Sequence, residues 1–167
     1  QLLDHTSGLH DFFFDPRIDK ALLDDRGRGW SAADALAYLG EPYFKPGKGW
    51  HYSNTNYLLL GLIAERVGEA TLGEQLRERF FDPLGLDHTY EQVGEPPGGP
   101  VAHGYRLRTA DDDDPVDLSD GTTTAPFTSV VTAAGAAGSL ASTPSDLVRW
   151  ARALYTGSVL PPDTLAE

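Results

Sequence analysis

The apolar positions of the chain recur mainly at helical spacing. Ser31 stands before Ala-Ala-Asp-Ala-Leu-Ala-Tyr-Leu, with Gly40 and Pro42 behind, which predicts a capped short helix over Ser31 to Leu39. Pro46-Gly47-Lys48-Gly49-Trp50 then reads as a turn that delivers Tyr52-Ser53-Asn54-Thr55, where three side chains are competent N-caps. A second helix is expected to start there. Its Leu59, Leu62, Ile63 and Val67 repeat every three to four residues, and Leu58 and Leu60 widen the stripe. That pattern predicts a helix buried on most sides and ended by Gly68. Thr71-Leu72-Gly73-Glu74 is a capping box for a third helix, with Leu72, Leu76 and Phe80 on one face and an end before Pro83.

Beyond Pro83 the signals change to turns and short strands. Val93 to Pro100 is rich in Gly and Pro, and Val101–Leu107 with Val116–Leu118 form a candidate hairpin around the solvated run Asp111–Asp114. Thr143-Pro144-Ser145-Asp146 sets a cap, a first-turn Pro and an acid ahead of Leu147, Trp150, Ala151 and Leu154, with Gly157 as the stop. Pro161 to Glu167 reads as the first turn of one more helix. Helices outweigh strands, and neither a repeat nor a long linker divides the chain. Residues 1–167 are therefore expected to be a single domain or one lobe of a larger one.

Charge narrows the partners. Thirteen basic against 25 acidic residues give a net charge of −12, and the chain has only three lysines, Lys20, Lys45 and Lys48. A nucleic-acid face, which needs clustered basic residues, is not expected. No apolar run reaches the roughly 18 residues of a spanning helix, so no membrane span is expected either. The chain has no Cys, which excludes disulfides, thiolate metal sites and a Cys nucleophile. It opens Gln1-Leu2-Leu3 without Met or an apolar signal segment, and we read it as an internal fragment.

Several familiar chemistries lack their residues. His5, His10, His51, His88 and His103 show neither helical i, i+4 pairing with Glu nor a His-x-Glu or Cys partner pattern, and metal binding is not expected. The Asp111–Asp114 run lacks the alternating ligands, Gly and terminal Glu of a calcium loop. Lys48 follows Gly47 without the frame of a phosphate loop, and Gly27-Arg28-Gly29 does not continue as a dinucleotide fingerprint. A Gly-x-Ser-x-Gly elbow is also missing.

Tyr52-Ser53-Asn54 is left. A phenol and an amide at a loop-to-helix junction suit proton transfer and carbonyl recognition, and they equally suit plain capping by Ser53 or Asn54 with Tyr52 packed beside them. Three ordered segments bear on the choice. They are Gln1-Leu2-Leu3-Asp4-His5-Thr6-Ser7-Gly8-Leu9, then Pro46-Gly47 with Tyr52-Ser53-Asn54-Thr55-Asn56-Tyr57, then Ala137-Gly138-Ser139-Leu140-Ala141-Ser142-Thr143-Pro144-Ser145-Asp146-Leu147. Together they resemble the serine beta-lactamase family, in the branch of class C beta-lactamases, D-alanyl-D-alanine carboxypeptidases, penicillin-binding proteins and related esterases.

The resemblance implies a mainly α chain, the helical lobe of that α+β fold, with at most a small β-hairpin and most of the antiparallel sheet missing. It implies that Tyr52, its phenol acidified by a nearby Lys, relays the proton between a serine nucleophile and the leaving group. Asn54 would bind the substrate amide and the same Lys. The substrate would be a beta-lactam, a D-Ala-D-Ala peptide of peptidoglycan or an ester, hydrolysed through an acyl-enzyme, with no metal or organic cofactor needed, in the periplasm, the cell envelope or outside the cell.

Two of the family's three motifs have no counterpart here. Three residues before Lys20, Lys45 and Lys48 stand Arg17, Pro42 and Lys45, so no Ser-x-x-Lys occurs. The sole Lys/His-x-Gly match, Lys45-Pro46-Gly47, lies in the turn before Tyr52 and not on a late strand. The nucleophile Ser and its Lys are thus expected outside this chain, which alone would be inactive and, with an uncovered apolar face, prone to self-association. The alternative is a noncatalytic module that binds peptidoglycan or another protein.

Overall fold

Helix starts are where local chemistry acts most visibly. The computed structural model describes residues 1–95, 97–106, 115–117 and 128–165. After a 3-10 turn at Phe12–Phe14 come α1 (Ile18–Asp24), α2 (Ala32–Leu36) and α3 (Asn54–Gly68). Ser31 and Asp34 form a reciprocal capping box at α2, as do Thr71 and Glu74 at α4 (Leu72–Leu76). The two boxes satisfy backbone donors that the first helical turn leaves without partners.

The helix begun at α4 runs past its expected end. A π-helical turn, Arg77–Phe81, widens it, the Asp82 N–H reaching the carbonyl of Arg77, and a last turn, α5 (Asp82–Leu84), contains Pro83. Pro83 has no N–H to donate, and the wider turn removes the need for one in a regular ladder. Gly85 then turns left-handed at φ 63°, and the Leu86 N–H closes on the Phe81 carbonyl at 2.8 Å. The helix therefore stops after Pro83, not before it.

Strands are two residues long. Tyr90–Glu91 (β1) pairs antiparallel with Leu140–Ala141 (β4), and Tyr105–Arg106 (β2) with Val116–Asp117 (β3). The second pair is the expected hairpin. Its outer residues Leu107 and Leu118 and the Asp111–Asp114 run lie outside the described residues. The first pair joins positions some fifty residues apart, which no local pattern reveals. Between the strands run α6 (Thr128–Ala134) and a 3-10 turn, Gly135–Ala137; α7 (Pro144–Tyr155) and α8 (Pro162–Leu165) follow β4. The described chain is thus mainly α.

Asp146 shows why α7 sits where it does. Thr143 caps the Asp146 N–H, as its spacing predicts, but the Asp146 carboxylate is buried. It accepts from the His88 N–H at 2.8 Å, from Thr89 Oγ1 at 3.0 Å and from Arg149 at 3.0 Å, fastening the first turn of α7 to the segment before β1.

The core gathers Phe12 from the N-terminal turn, Trp30 from the loop before α2, and Ile18, Leu22, Ala35, Leu58 and Ala133 from four helices. It changes the reading of α3. The residues that α3 buries are Thr55, Asn56, Leu58 and Gly61, whereas Leu62, Ile63 and Val67 are 39%, 50% and 78% exposed. The helix is not buried on most sides. Small and polar residues on its inner arc let the backbone approach the 3-10 turn after α6, while periodicity had marked the more apolar arc beside it. Contact is so close at Gly61 that a Cβ there would stand 2.5 Å from Ala136 Cβ. Gly61→Ala is expected to cost about 2 kcal/mol, because α3 must move away from that turn. Chemical denaturation would measure it, and an unchanged midpoint would contradict this packing.

Candidate active site

Tyr52 and Asn54 flank the residue that opens α3, and the N-terminal segment fixes both. Ser53 occupies the N-cap position in extended conformation, φ −152° and ψ 121°, yet its side chain makes no cap. Its Oγ is buried and has no hydrogen-bond partner among the described residues. Asp11 acts in its place. The fully buried Asp11 carboxylate accepts, through Oδ2, the Asn54 backbone N–H at 3.1 Å and the Asn54 Nδ2–H at 2.7 Å. Its Oδ1 accepts the Phe13 N–H at 3.0 Å, so one carboxylate caps both the 3-10 turn and α3. A negative charge at the start of a 15-residue helix also meets the positive end of its dipole. The simple capping alternative for Ser53 or Asn54 is therefore not what the structure contains.

The same bonds orient the amide. With Nδ2 held by Asp11, Asn54 Oδ1 turns toward Tyr52 and accepts its phenol O–H at 3.1 Å. Tyr52 is 49% exposed, so its hydroxyl is open to a reactant while its ring leans on His5, with centroids 4.6 Å apart. Asn54 Oδ1 keeps a second lone pair for another donor.

Further bonds lock this junction to the N-terminal segment. Thr55 Oγ1 donates to the His10 carbonyl at 2.7 Å and accepts the Phe12 N–H at 3.2 Å. Ser7 Oγ donates to Asn56 Oδ1 at 2.5 Å. His5 Nδ1 lies 3.2 Å from the Ser53 N–H and 3.0 Å from Asn56 Nδ2. A loop covers the other side: the Tyr43, Gly47 and His51 N–H groups donate to the carbonyls of Gly8, Thr6 and His5. Residues 5–13 are thus held between that loop and the start of α3.

The structure brings Tyr52 and Asn54 into direct contact, and it adds His5 and Asp11, to which the sequence alone assigns no role. Asp11 lies 43 positions before Asn54, and no spacing rule links them. The sole hint is that the Tyr52-Ser53-Asn54 junction and the His5–Leu9 segment both belong to the ordered resemblance.

A mainly helical chain with the Tyr52-Ser53-Asn54 segment at a helix start is what the resemblance to the serine beta-lactamase family implies. Comparison with known proteins agrees: the Beta-lactamase family model matches residues 1–167, and the chain belongs to that family. It is 30% identical over 168 residues to penicillin-binding protein 4 of Amycolatopsis lactamdurans, covering 98% of this chain and 39% of the relative. It is 34% identical over 93 residues to penicillin-binding protein 4* of Bacillus subtilis, covering 53% and 20%. Among solved structures, a D-stereospecific amidohydrolase from Streptomyces superposes with a TM-score of 0.84 at 31% identity, over 100% of this chain and 49% of that one. The D-amino acid amidase of Ochrobactrum anthropi, complexed with L-phenylalanine, gives 0.76 at 30% identity, over 98% and 44%. The chain spans less than half the length of these relatives. Among the described residues no helix is long and apolar enough to cross a membrane.

Proposed function

We propose that this chain is the helical lobe, a single incomplete domain over residues 1–167, of a serine hydrolase that works through an acyl-enzyme. Its substrate is a beta-lactam, a D-Ala-D-Ala peptide or a related amide or ester, taken from the cell envelope or its surroundings. The observation that carries the reading is the bond between Tyr52 Oη and Asn54 Oδ1, made on an amide that the buried Asp11 orients. Tyr52 passes the proton from the attacking serine to the leaving group, and Asn54 presents Oδ1 to a donor of the substrate or of a lysine. The serine and its lysine come from outside this chain, so the lobe alone is inactive. Relatives named as penicillin-binding proteins, as D-amino acid amidases and as a lovastatin esterase of Penicillium rubens support acyl transfer as the shared chemistry.

The test is acylation of the full-length protein by a fluorescent penicillin, beside hydrolysis of a p-nitrophenyl ester. Label on the serine of a Ser-x-x-Lys, formed about a hundredfold more slowly in Tyr52→Phe, is the expected result. Absence of both label and ester hydrolysis would instead favour the noncatalytic module. Turnover of either reagent by residues 1–167 alone would contradict the placement of the nucleophile outside the chain.

A further inference from the structure

We propose that His5 is a positioning residue for Tyr52, an assignment that extends the proposed function to a group outside its two site residues. His5 carries an uncommon backbone for a residue with a side chain, φ 57°. Left-handed conformations at non-glycine positions persist where surrounding bonds over-determine them, and His5 has such bonds on three sides.

Along the ring edge, Nδ1 meets the Ser53 backbone N–H at 3.2 Å and Asn56 Nδ2 at 3.0 Å. A backbone N–H can only donate, so Nδ1 is the acceptor and the imidazole proton sits on Nε2. Across the ring face, Tyr52 and Tyr57 lie at centroid distances of 4.6 and 5.3 Å, tilted by 36° and 33°, and Trp50 meets it edge-on at 6.1 Å. Behind it, the His5 carbonyl accepts the His51 N–H at 3.1 Å.

One residue therefore holds both the backbone on which Tyr52 is mounted and the face of its ring. Ser53 follows Tyr52 directly, and Asn56 fixes the first turn of α3 through its bond from Ser7. Among the described residues the Tyr52 side chain has a single hydrogen bond, at its hydroxyl, to Asn54. Without the imidazole the phenol would pivot about that bond, and its oxygen would leave the place where a reacting atom must find it. Misplacement of a reacting group by about 1 Å can slow a reaction as much as a hundredfold.

Two substitutions separate the two functions of the ring. His5→Asn keeps an acceptor near the place of Nδ1 and suits the left-handed backbone, but it removes the ring. In the full-length protein it is expected to melt close to the unsubstituted protein, to shift the NMR ring resonances of Tyr52, and to slow acylation by a fluorescent penicillin about tenfold at unchanged saturation. His5→Phe keeps the ring and removes the acceptor, so the Tyr52 resonances stay nearer their original place while the melting temperature falls. A measurement without substitution accompanies these. Nitrogen-15 spectra should show Nδ1 unprotonated, and a proton there would overturn the proposal whether or not either variant folds. His5→Asn with unaltered Tyr52 resonances and an unaltered acylation rate would overturn it as well. If the unsubstituted protein is not acylated at all, yet the Tyr52 resonances move in His5→Asn, the proposed function fails and the positioning of Tyr52 by His5 stands.

Discussion

Asp11→Ala is expected to destabilise the fold by about 4 kcal/mol, because three donors then lose a buried anionic acceptor together. The Asn54 N–H, the Asn54 Nδ2–H and the Phe13 N–H all converge on that carboxylate, and Asp11 is fully buried. Alanine supplies no replacement, and a buried donor left unpaired loses roughly 1–3 kcal/mol of hydration that it would recover on unfolding. The loss is a large share of the 5–15 kcal/mol by which domains are stable. Asp11→Asn should cost less, since one amide oxygen can still accept, although its NH2 then opposes a donor. Urea denaturation of the two variants measures the difference. A cost near 1 kcal/mol for Asp11→Ala would mean that water reaches these donors and that the carboxylate is not their main anchor. The same variant should release the Asn54 amide, so that Tyr52 loses its oriented acceptor along with the cap.

The second large effect is expected at Gly8, where conformation and space act together. Gly8 has φ 78°, and a Cβ built there would lie 2.0 Å from the carbonyl oxygen of Phe44. No rotamer change relieves a clash with backbone. Alanine would also strain the left-handed conformation by about 1–2 kcal/mol, and the chain would have to part where the Tyr43 N–H donates to the Gly8 carbonyl at 2.8 Å. Together these should cost about 3 kcal/mol. Because Gly8 turns the chain between Ser7, bonded to Asn56, and Asp11, bonded to Asn54, the damage should reach the start of α3. Hydrogen exchange at the amides of residues 53–56 should accelerate in Gly8→Ala. Unchanged protection there would show that the N-terminal segment and α3 are held independently.

Both effects concern residues that look ordinary in sequence. Local rules act over a few positions, and they identified what is local: the Ser31 cap of α2, the capping box of α4, the Thr143 cap and first-turn Pro144 of α7, and the β2–β3 hairpin. They failed where a second element takes part. Pro83 marked a helix end, but the π-helical turn before it depends on how the whole segment packs. The three-to-four spacing of apolar residues marked a stripe on α3, but which arc is buried depends on the small side chains that fit beneath, Gly61 against Ala136. The seven-residue helices α1 and α6 left no sequence signal strong enough to read.

The candidate site divides in the same way. The sequence by itself determined the mainly helical class of the chain, from residue types at fixed short spacings, and its likeness to the beta-lactamase family, which implies Tyr52 and Asn54 as the candidate pair. Only the tertiary structure decided what holds that pair. The cap of α3 is a carboxylate 43 residues upstream in place of the adjacent Ser53, and the ring beside Tyr52 belongs to His5. The physical reason is that a hydrogen bond or a ring contact depends on distance in space alone, and two segments far apart in sequence meet only after the chain has folded between them.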